Sequence, residues 1–159
     1  MSDLNEEFQK YKKEAYRLFA YTDYTVKGLY ERLQKKAGAD KDAHKEVIKR
    51  VILHMSEIGF LNERRYLDSF LLKLDAELLG KNKIKQKLQE KQFSEKHIQK
   101  ALLREIDYEE RAFLLILKSE KTKSLLQSEE GIKKLYAFLL RKGYTSSEVR
   151  GAINRARNQ

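Results

Sequence analysis

The residues best placed to do chemistry in this chain are its cations. Between Lys81 and Arg104 stand eight basic side chains (Lys81, Lys83, Lys85, Lys87, Lys91, Lys96, Lys100, Arg104) against two acidic ones, Glu90 and Glu95. The whole chain holds 34 Lys plus Arg against 24 Asp plus Glu, a net charge of +10. Such a surplus attracts polyanions or acidic protein faces and speeds their encounter. Lys83, Lys87 and Lys91 are spaced i, i+4, i+8, so a helix sets them in one row. Like charges at that spacing repel by about 0.2–0.5 kcal/mol per pair, which an anionic partner relieves. Near the end, Arg150, Asn154 and Arg157 share a helix face opposite Val149, Ala152 and Ile153.

Catalysis has little to build on. His44, His54 and His97 are far apart, and none belongs to a metal-binding pattern such as His-Glu-x-x-His. Asp107, Glu109 and Glu110 form a small acidic cluster, but carboxylates ahead of a helix ordinarily complement its dipole. No glycine-rich phosphate loop is present, and cysteine is absent, which removes disulfides and thiolate metal sites. The expectation is a protein with no enzymatic activity, no cofactor and no metal. No apolar run approaches the roughly 20 residues that cross a bilayer. The acidic start Ser2, Asp3, Glu6, Glu7 is unlike a secretory signal, so a soluble cytoplasmic location is expected.

The elements that must position the cations are helices. Proline is absent, no alternating run rich in Val, Ile and Thr suggests a strand, and apolar residues recur every three or four positions. The fold class expected is all-α. Leu88, Lys91, Phe93, Ser94, Ile98, Ala101 and Leu102 return as Leu139, Lys142, Tyr144, Thr145, Val149, Ala152 and Ile153, each pair 51 residues apart. A fixed period of that size marks stacked helical modules. A weaker third copy uses Leu29, Leu33, Lys36, Val47, Ile48, Val51 and Ile52.

Caps and apolar stripes predict three units of three helices, over residues 1–60, 61–107 and 108–159. The first helix runs from near Glu6 to Thr22, the second carries Leu29 and Leu33 to a stop near Gly38, and the third uses Val47 through Met55. Asn62 opens the second unit, whose first helix (Leu67, Phe70, Leu71, Leu74, Leu78) closes at Gly80. A short helix with Ile84 and Leu88 follows, then one from the Ser94 cap through Ile106. The third unit restarts near Glu109, with a Ser128-capped helix ending at Gly143. Thr145 with Glu148 three residues on reads as a capping box for the last helix. The tight turns at Gly38, Phe93 and Tyr144 give a helix, turn, helix layout like that of DNA-reading motifs, but any αα repeat has the same pattern, and Phe93 and Tyr144 are assigned to the core.

Specific strings carry a family resemblance. Thr22, Asp23, Tyr24, Thr25 with Leu29, Leu33, Lys35 and Lys36 resembles the opening signature of RecX, the bacterial regulator of the RecA recombinase. Ile58, Gly59, Phe60, Leu61, Asn62, Glu63, Arg64, Arg65, Tyr66 is similar to that family's most recognisable motif. Gly80 through Ile84 and Leu88 with Lys91, Gln92, Phe93 matches its next segment, and Leu140 through Thr145 with Val149 and Arg150 its last. The strings run in family order from about residue 15 to residue 157. Two departures stand out: Asn62, Glu63 where the family usually has Asp after the apolar pair, and Gln92 where it usually has Gly. Glu63 keeps a negative charge at a helix start. Gln92 must make its turn without glycine's freedom.

The resemblance implies an elongated, curved array of three tandem three-helix repeats that works as a monomer in homologous recombination, DNA repair and the SOS response. It would bind the RecA filament on single-stranded DNA along the filament groove, and inhibit ATP hydrolysis, strand exchange and filament growth, with only weak nonspecific DNA contact. Lys83, Lys87, Lys91, Arg141, Lys142, Arg150 and Arg157 are the contact candidates, chosen because periodicity puts them on outward rows. The competing expectation is a helical protein that binds DNA directly, such as a transcriptional regulator.

Overall fold

Helix boundaries follow the capping chemistry. The structure, a computed structural model, describes residues 2–159. It contains α1 (Ser2–Phe19), α2 (Val26–Ala37), α3 (Lys45–Glu57), α4 (Glu63–Ala76), α5 (Lys81–Glu90), α6 (Glu95–Leu102), α7 (Tyr108–Leu117), α8 (Glu120–Ser124), α9 (Glu129–Arg141) and α10 (Ser146–Arg157). Two 3-10 turns, Gly38–Asp40 and Leu125–Gln127, complete the set, and no strand occurs among the described residues. The protein is all-α. Thr25, Asp107 and Ser128 each accept the backbone N–H three residues on, Asn62 does the same for Arg65 at 3.0 Å, and Thr145 and Glu148 close the expected box.

Some boundaries differ from those expected. The first helix stops at Phe19 rather than Thr22. α4 stops at Ala76, where Leu78 takes the left-handed conformation (φ 55°), so Gly80 does not close that helix. α6 ends at Leu102, leaving Ile106 outside it, and the five-residue α8, capped by Ser119, was not foreseen.

Contacts divide the chain into two compact units. The first runs up to Asp68 and includes Glu90–His97; the second comprises Ser69–Gln89 and the residues from Ile98 onward. In the first unit α1 and α2 pack on α3, and Tyr11, Ala15, Leu29, Leu33, Ile48, Val51 and Met55 are fully enclosed. Each large apolar side chain so buried contributes about 1.5–3 kcal/mol. In the second unit α10 packs on α7 and α9, and Ala112 and Ala152, both fully buried, are small enough for close approach of their helices. Residues 51 apart share their burial: Leu88 with Leu139, Phe93 with Tyr144, Ile98 with Val149, Ala101 with Ala152.

A charged network lies among the apolar contacts of the second unit. Arg104 grips Asp75 with two hydrogen bonds, 2.8 and 3.1 Å. Arg111 sits 3.1 Å from the same carboxylate and donates to the Leu79 carbonyl at 3.0 Å. Burial favours the neutral form of Asp75, but the Arg104 hydrogen bonds and the charges of Arg104 and Arg111 outweigh it and hold the carboxyl below its usual range.

The short helices are seated by backbone contacts made at two places. In the second unit Gly80 N–H donates to the Lys142 carbonyl at 2.8 Å and Asn82 N–H to the Gly143 carbonyl at 3.0 Å. A Cβ on Gly80 would lie 2.3 Å from the Gly143 carbonyl carbon, and one on Gly143 (φ 100°) would lie 2.3 Å from the Lys83 nitrogen. The buried Tyr144 hydroxyl donates to the Leu78 carbonyl, and burial pushes that phenol well above its ordinary pKa, keeping it a neutral donor. In the first unit the enclosed Thr25 hydroxyl donates to the Lys91 carbonyl at 3.0 Å while accepting from Gly28 N–H. Phe93 packs on Tyr66 with ring centroids 4.9 Å apart. Gln92 does adopt the turn conformation, at φ 64°, and its amide donates to Glu31 at 2.7 Å.

Two stability predictions result. Because Asp75 has a depressed folded-state pKa, its contribution is complete above the unfolded value of about 4 and disappears as pH falls through the lower folded value. Asp75→Asn should therefore lower the urea-unfolding free energy by about 1–2 kcal/mol at pH 7, with the gap to the parent closing as pH falls below the unfolded value of about 4. Gly143→Ala should cost at least about 2 kcal/mol, from strain and lack of room, whereas Gln92→Gly should change stability by less than about 1 kcal/mol, since it trades the Glu31 bond for backbone relief. Denaturant melts of the two variants check this contrast.

Candidate partner-binding surface

The seven candidate cations are held by the elements just described. In the second unit Lys83 belongs to the first turn of α5, beside Gly143, while Arg141 ends α9 and Lys142 caps it. The chain approach at Gly80 and Gly143 thus brings Lys83 together with Arg141 and Lys142, residues 58 and 59 positions away in sequence. Arg141 is exposed, whereas Lys83 and Lys142 are half-buried, and the Lys142 ammonium stands 5.6 Å from the centre of the Phe138 ring. Cations there also face the carbonyl end of α9, which favours them.

Lys87 follows Lys83 by one turn of α5 and is also half-buried. Lys91 does not complete the expected row of three: α5 ends at Glu90, because Gln92 turns the chain through the left-handed region. Lys91 instead lies in the first unit, exposed, with its carbonyl held by Thr25. Arg150 and Arg157 are exposed on α10, on the side away from the buried Val149, Ala152, Ile153 and Ala156.

Charge pairing separates available cations from committed ones. Arg104, counted in the basic run, is bound to Asp75, and Arg155 is paired with Glu110 while its guanidinium lies 4.2 Å from the Phe113 ring centre. Among the described residues none of the seven candidates is in an ion pair. No carboxylate among the described residues neutralises them, which leaves their positive charge to attract a polyanion.

Sequence spacing did not reveal the histidine contacts, which depend on tertiary approach. Glu63 accepts from Val26 N–H at 2.8 Å and lies 2.8 Å from His97 Nδ1, while Ser94 Oγ is also 2.8 Å from that same Nδ1. A nucleophile relay needs the hydroxyl and the carboxylate on opposite ring nitrogens. With both on Nδ1 this trio ties a helix start in place and cannot activate Ser94. His44 is similarly tied to Glu7 through Nε2, at 2.8 Å. Among the described residues no group of three or more metal-ligating side chains converges, and no helix is long and apolar enough to cross a membrane.

Among the cavities bounded by described residues of the first unit, two border the start of α2. One, of about 310 Å³, has walls of mixed charge that include Asp23, Glu31, Arg32, Lys35 and Lys91. The other, of about 570 Å³, is mostly apolar, with Val26, Tyr30, Ile52 and Phe93 in its walls. Ser94 and Glu63 also line the second, and the two cavities offer recognition by charge and by apolar contact.

No protein-family profile matches the chain. It is 33% identical over 158 residues to the protein named Regulatory protein RecX of Clostridium perfringens (strain SM101 / Type A), a match covering 96% of this chain and 71% of that one. It is 29% identical over 155 residues to Regulatory protein RecX of Clostridium tetani (strain Massachusetts / E88), covering 94% and 68%. A crystal structure of regulatory protein RecX superposes with a TM-score of 0.70 over 93% of this chain and 72% of the other at 18% identity, a likeness of fold. With one-third identity sustained across nearly its whole length and the helical architecture shared, this chain belongs to the RecX family of regulatory proteins.

Proposed function

We propose that the protein binds the RecA filament assembled on single-stranded DNA, along the filament groove, and inhibits ATP hydrolysis, strand exchange and filament growth. It acts in this reading as a cytoplasmic monomer of three tandem repeats, 1–60, 61–107 and 108–159, without catalytic activity of its own. Family membership supports the regulatory role. The single observation that carries the binding mode is the unpaired state of Lys83, Lys87, Lys91, Arg141, Lys142, Arg150 and Arg157, in a chain that commits Arg104, Arg111 and Arg155 to internal carboxylates.

The physics favours an extended polymeric partner. An exposed cation contributes only about 0.2–1 kcal/mol per ion pair. Several such contacts on one chain act within a shared binding event, so their free energies combine and avidity rises steeply with the number engaged.

RecA's DNA-dependent ATPase, measured while this protein is titrated in, tests the reading. Inhibition is expected, and the triple reversal Lys83→Glu, Arg141→Glu, Lys142→Glu should raise the half-inhibitory concentration at least about tenfold with an unchanged thermal melt. Full-strength inhibition by the triple variant would remove these residues from the interface. No inhibition by the parent protein, together with tight salt-sensitive binding to DNA alone, would favour the direct DNA-binding reading.

A further inference from the structure

The motif Ile58–Tyr66 contains more than its fold requires. Gly59 takes φ 86°, Leu61 is buried and donates its N–H to the Met55 carbonyl at 3.0 Å, and Asn62 caps α4. Glu63 holds Val26 and His97, Arg65 donates to the Gly59 carbonyl at 3.0 Å, and Tyr66 packs on Phe93. Phe60 and Arg64 are different. Phe60 is 44% exposed, and Arg64 is exposed with no ion pair among the described residues.

Phe60 belongs to an aromatic cluster at the surface of the first unit. Its ring meets Tyr16 edge-to-face at 5.3 Å and Phe19 at 6.1 Å, and Phe19 meets Tyr24 at 5.7 Å. Tyr16 is 37% exposed, and Tyr21, in the same connection between α1 and α2 as Tyr24, is 82% exposed. Tyr16, Phe19, Tyr24 and Phe60 hold one another in place, and the rings of Tyr16, Tyr21 and Phe60 are open to water, so a partner stacking on Tyr16 and Phe60 restricts side chains that neighbouring rings already confine. Lys13, one turn before Tyr16 on α1, is exposed with no ion pair among the described residues, whereas Arg17 is bound to Glu14 at 2.6 Å.

We propose that Tyr16, Tyr21 and Phe60 form a stacking platform for the unpaired bases of single-stranded nucleic acid, with Lys13 and Arg64 attracting its phosphates. Three cavities among the first unit's described residues take no wall from these three rings, although one of them borders Lys13, so the platform offers ring faces rather than a socket. That suits a planar base better than the protruding anchor side chain of a protein hot spot. Every base has a π-face, so the platform is indifferent to sequence, and the net charge of +10 supplies long-range attraction to the strand. The inference does not depend on the filament reading, because it concerns a strand without recombinase.

The test is fluorescence anisotropy of a labelled oligothymidine, about 20 nucleotides long, with the full chain and no RecA. Tyr21→Leu and Phe60→Leu, which keep apolar volume, should each weaken binding about five- to tenfold, while Phe60→Trp retains affinity. An abasic oligomer of equal length should bind the parent and the leucine variants alike and weakly. Arg64→Gln should flatten the dependence of affinity on salt. The proposal is overturned if the leucine variants bind within twofold of the parent, if the abasic strand binds as tightly as oligothymidine, or if no binding is measurable. Leucine variants that keep oligonucleotide affinity but lose inhibition of RecA would assign the platform to a protein contact and likewise overturn it. Should the leucine variants fail to fold, the abasic comparison on the parent protein decides alone.

Discussion

The Gly80 N–H bonded to the Lys142 carbonyl at 2.8 Å, with Asn82 bonded to Gly143, is the contact on which the second unit's functional geometry depends. It needs two residues without side chains, since a Cβ on either glycine would fall 2.3 Å from the opposing backbone. That absence of atoms brings the start of α5 and the end of α9 together, and with them Lys83, Arg141 and Lys142. The first unit reaches a comparable seat by other means: a buried threonine hydroxyl reaches the Lys91 carbonyl, and a glutamine accepts φ 64° in exchange for a hydrogen bond to Glu31. Backbone carbonyls of the lysine-bearing turns are thus occupied inward in both units, and the cationic side chains are left for solvent or a partner.

Much of this was legible in the chain. Wherever a helix begins with Thr, Ser or Asn followed by a free N–H, local chemistry decides the boundary, and Asn62, Ser128 and Thr145 were readable for that reason, whereas Asp107, expected only to complement a helix dipole, is itself the cap of α7. The 51-residue offset coincides with shared burial at Phe93 and Tyr144, which are both enclosed, but not at Leu102, half-buried where Ile153 is buried. Gly80 was misread as a helix stop because local rules describe a glycine's conformational freedom and say nothing of what approaches it. The left-handed residue is Leu78, which no propensity favours. α8 escaped because five residues hold no periodicity.

The candidate site was legible as composition and opaque as geometry. Counting charges identified the basic segment, but the count includes Arg104, which Asp75, 29 residues away, claims. The row Lys83, Lys87, Lys91 assumed a helix that Gln92 ends. The pairs Glu63 with His97 and Glu7 with His44 span 34 and 37 residues, and no spacing rule reaches across such a distance. Long-range pairing is set by packing of the apolar faces, and side-chain charges then fall where that packing leaves them.

The proposed filament binding rests on cations that no carboxylate among the described residues neutralises. The most direct measurement is affinity for RecA filaments on immobilised single-stranded DNA, compared with the same strand left naked, by biolayer interferometry at physiological salt. The account predicts binding to the filament at least about 100-fold tighter than to the bare strand, as expected when specific protein contacts add to nonspecific phosphate attraction. Equal affinity for both surfaces would contradict it.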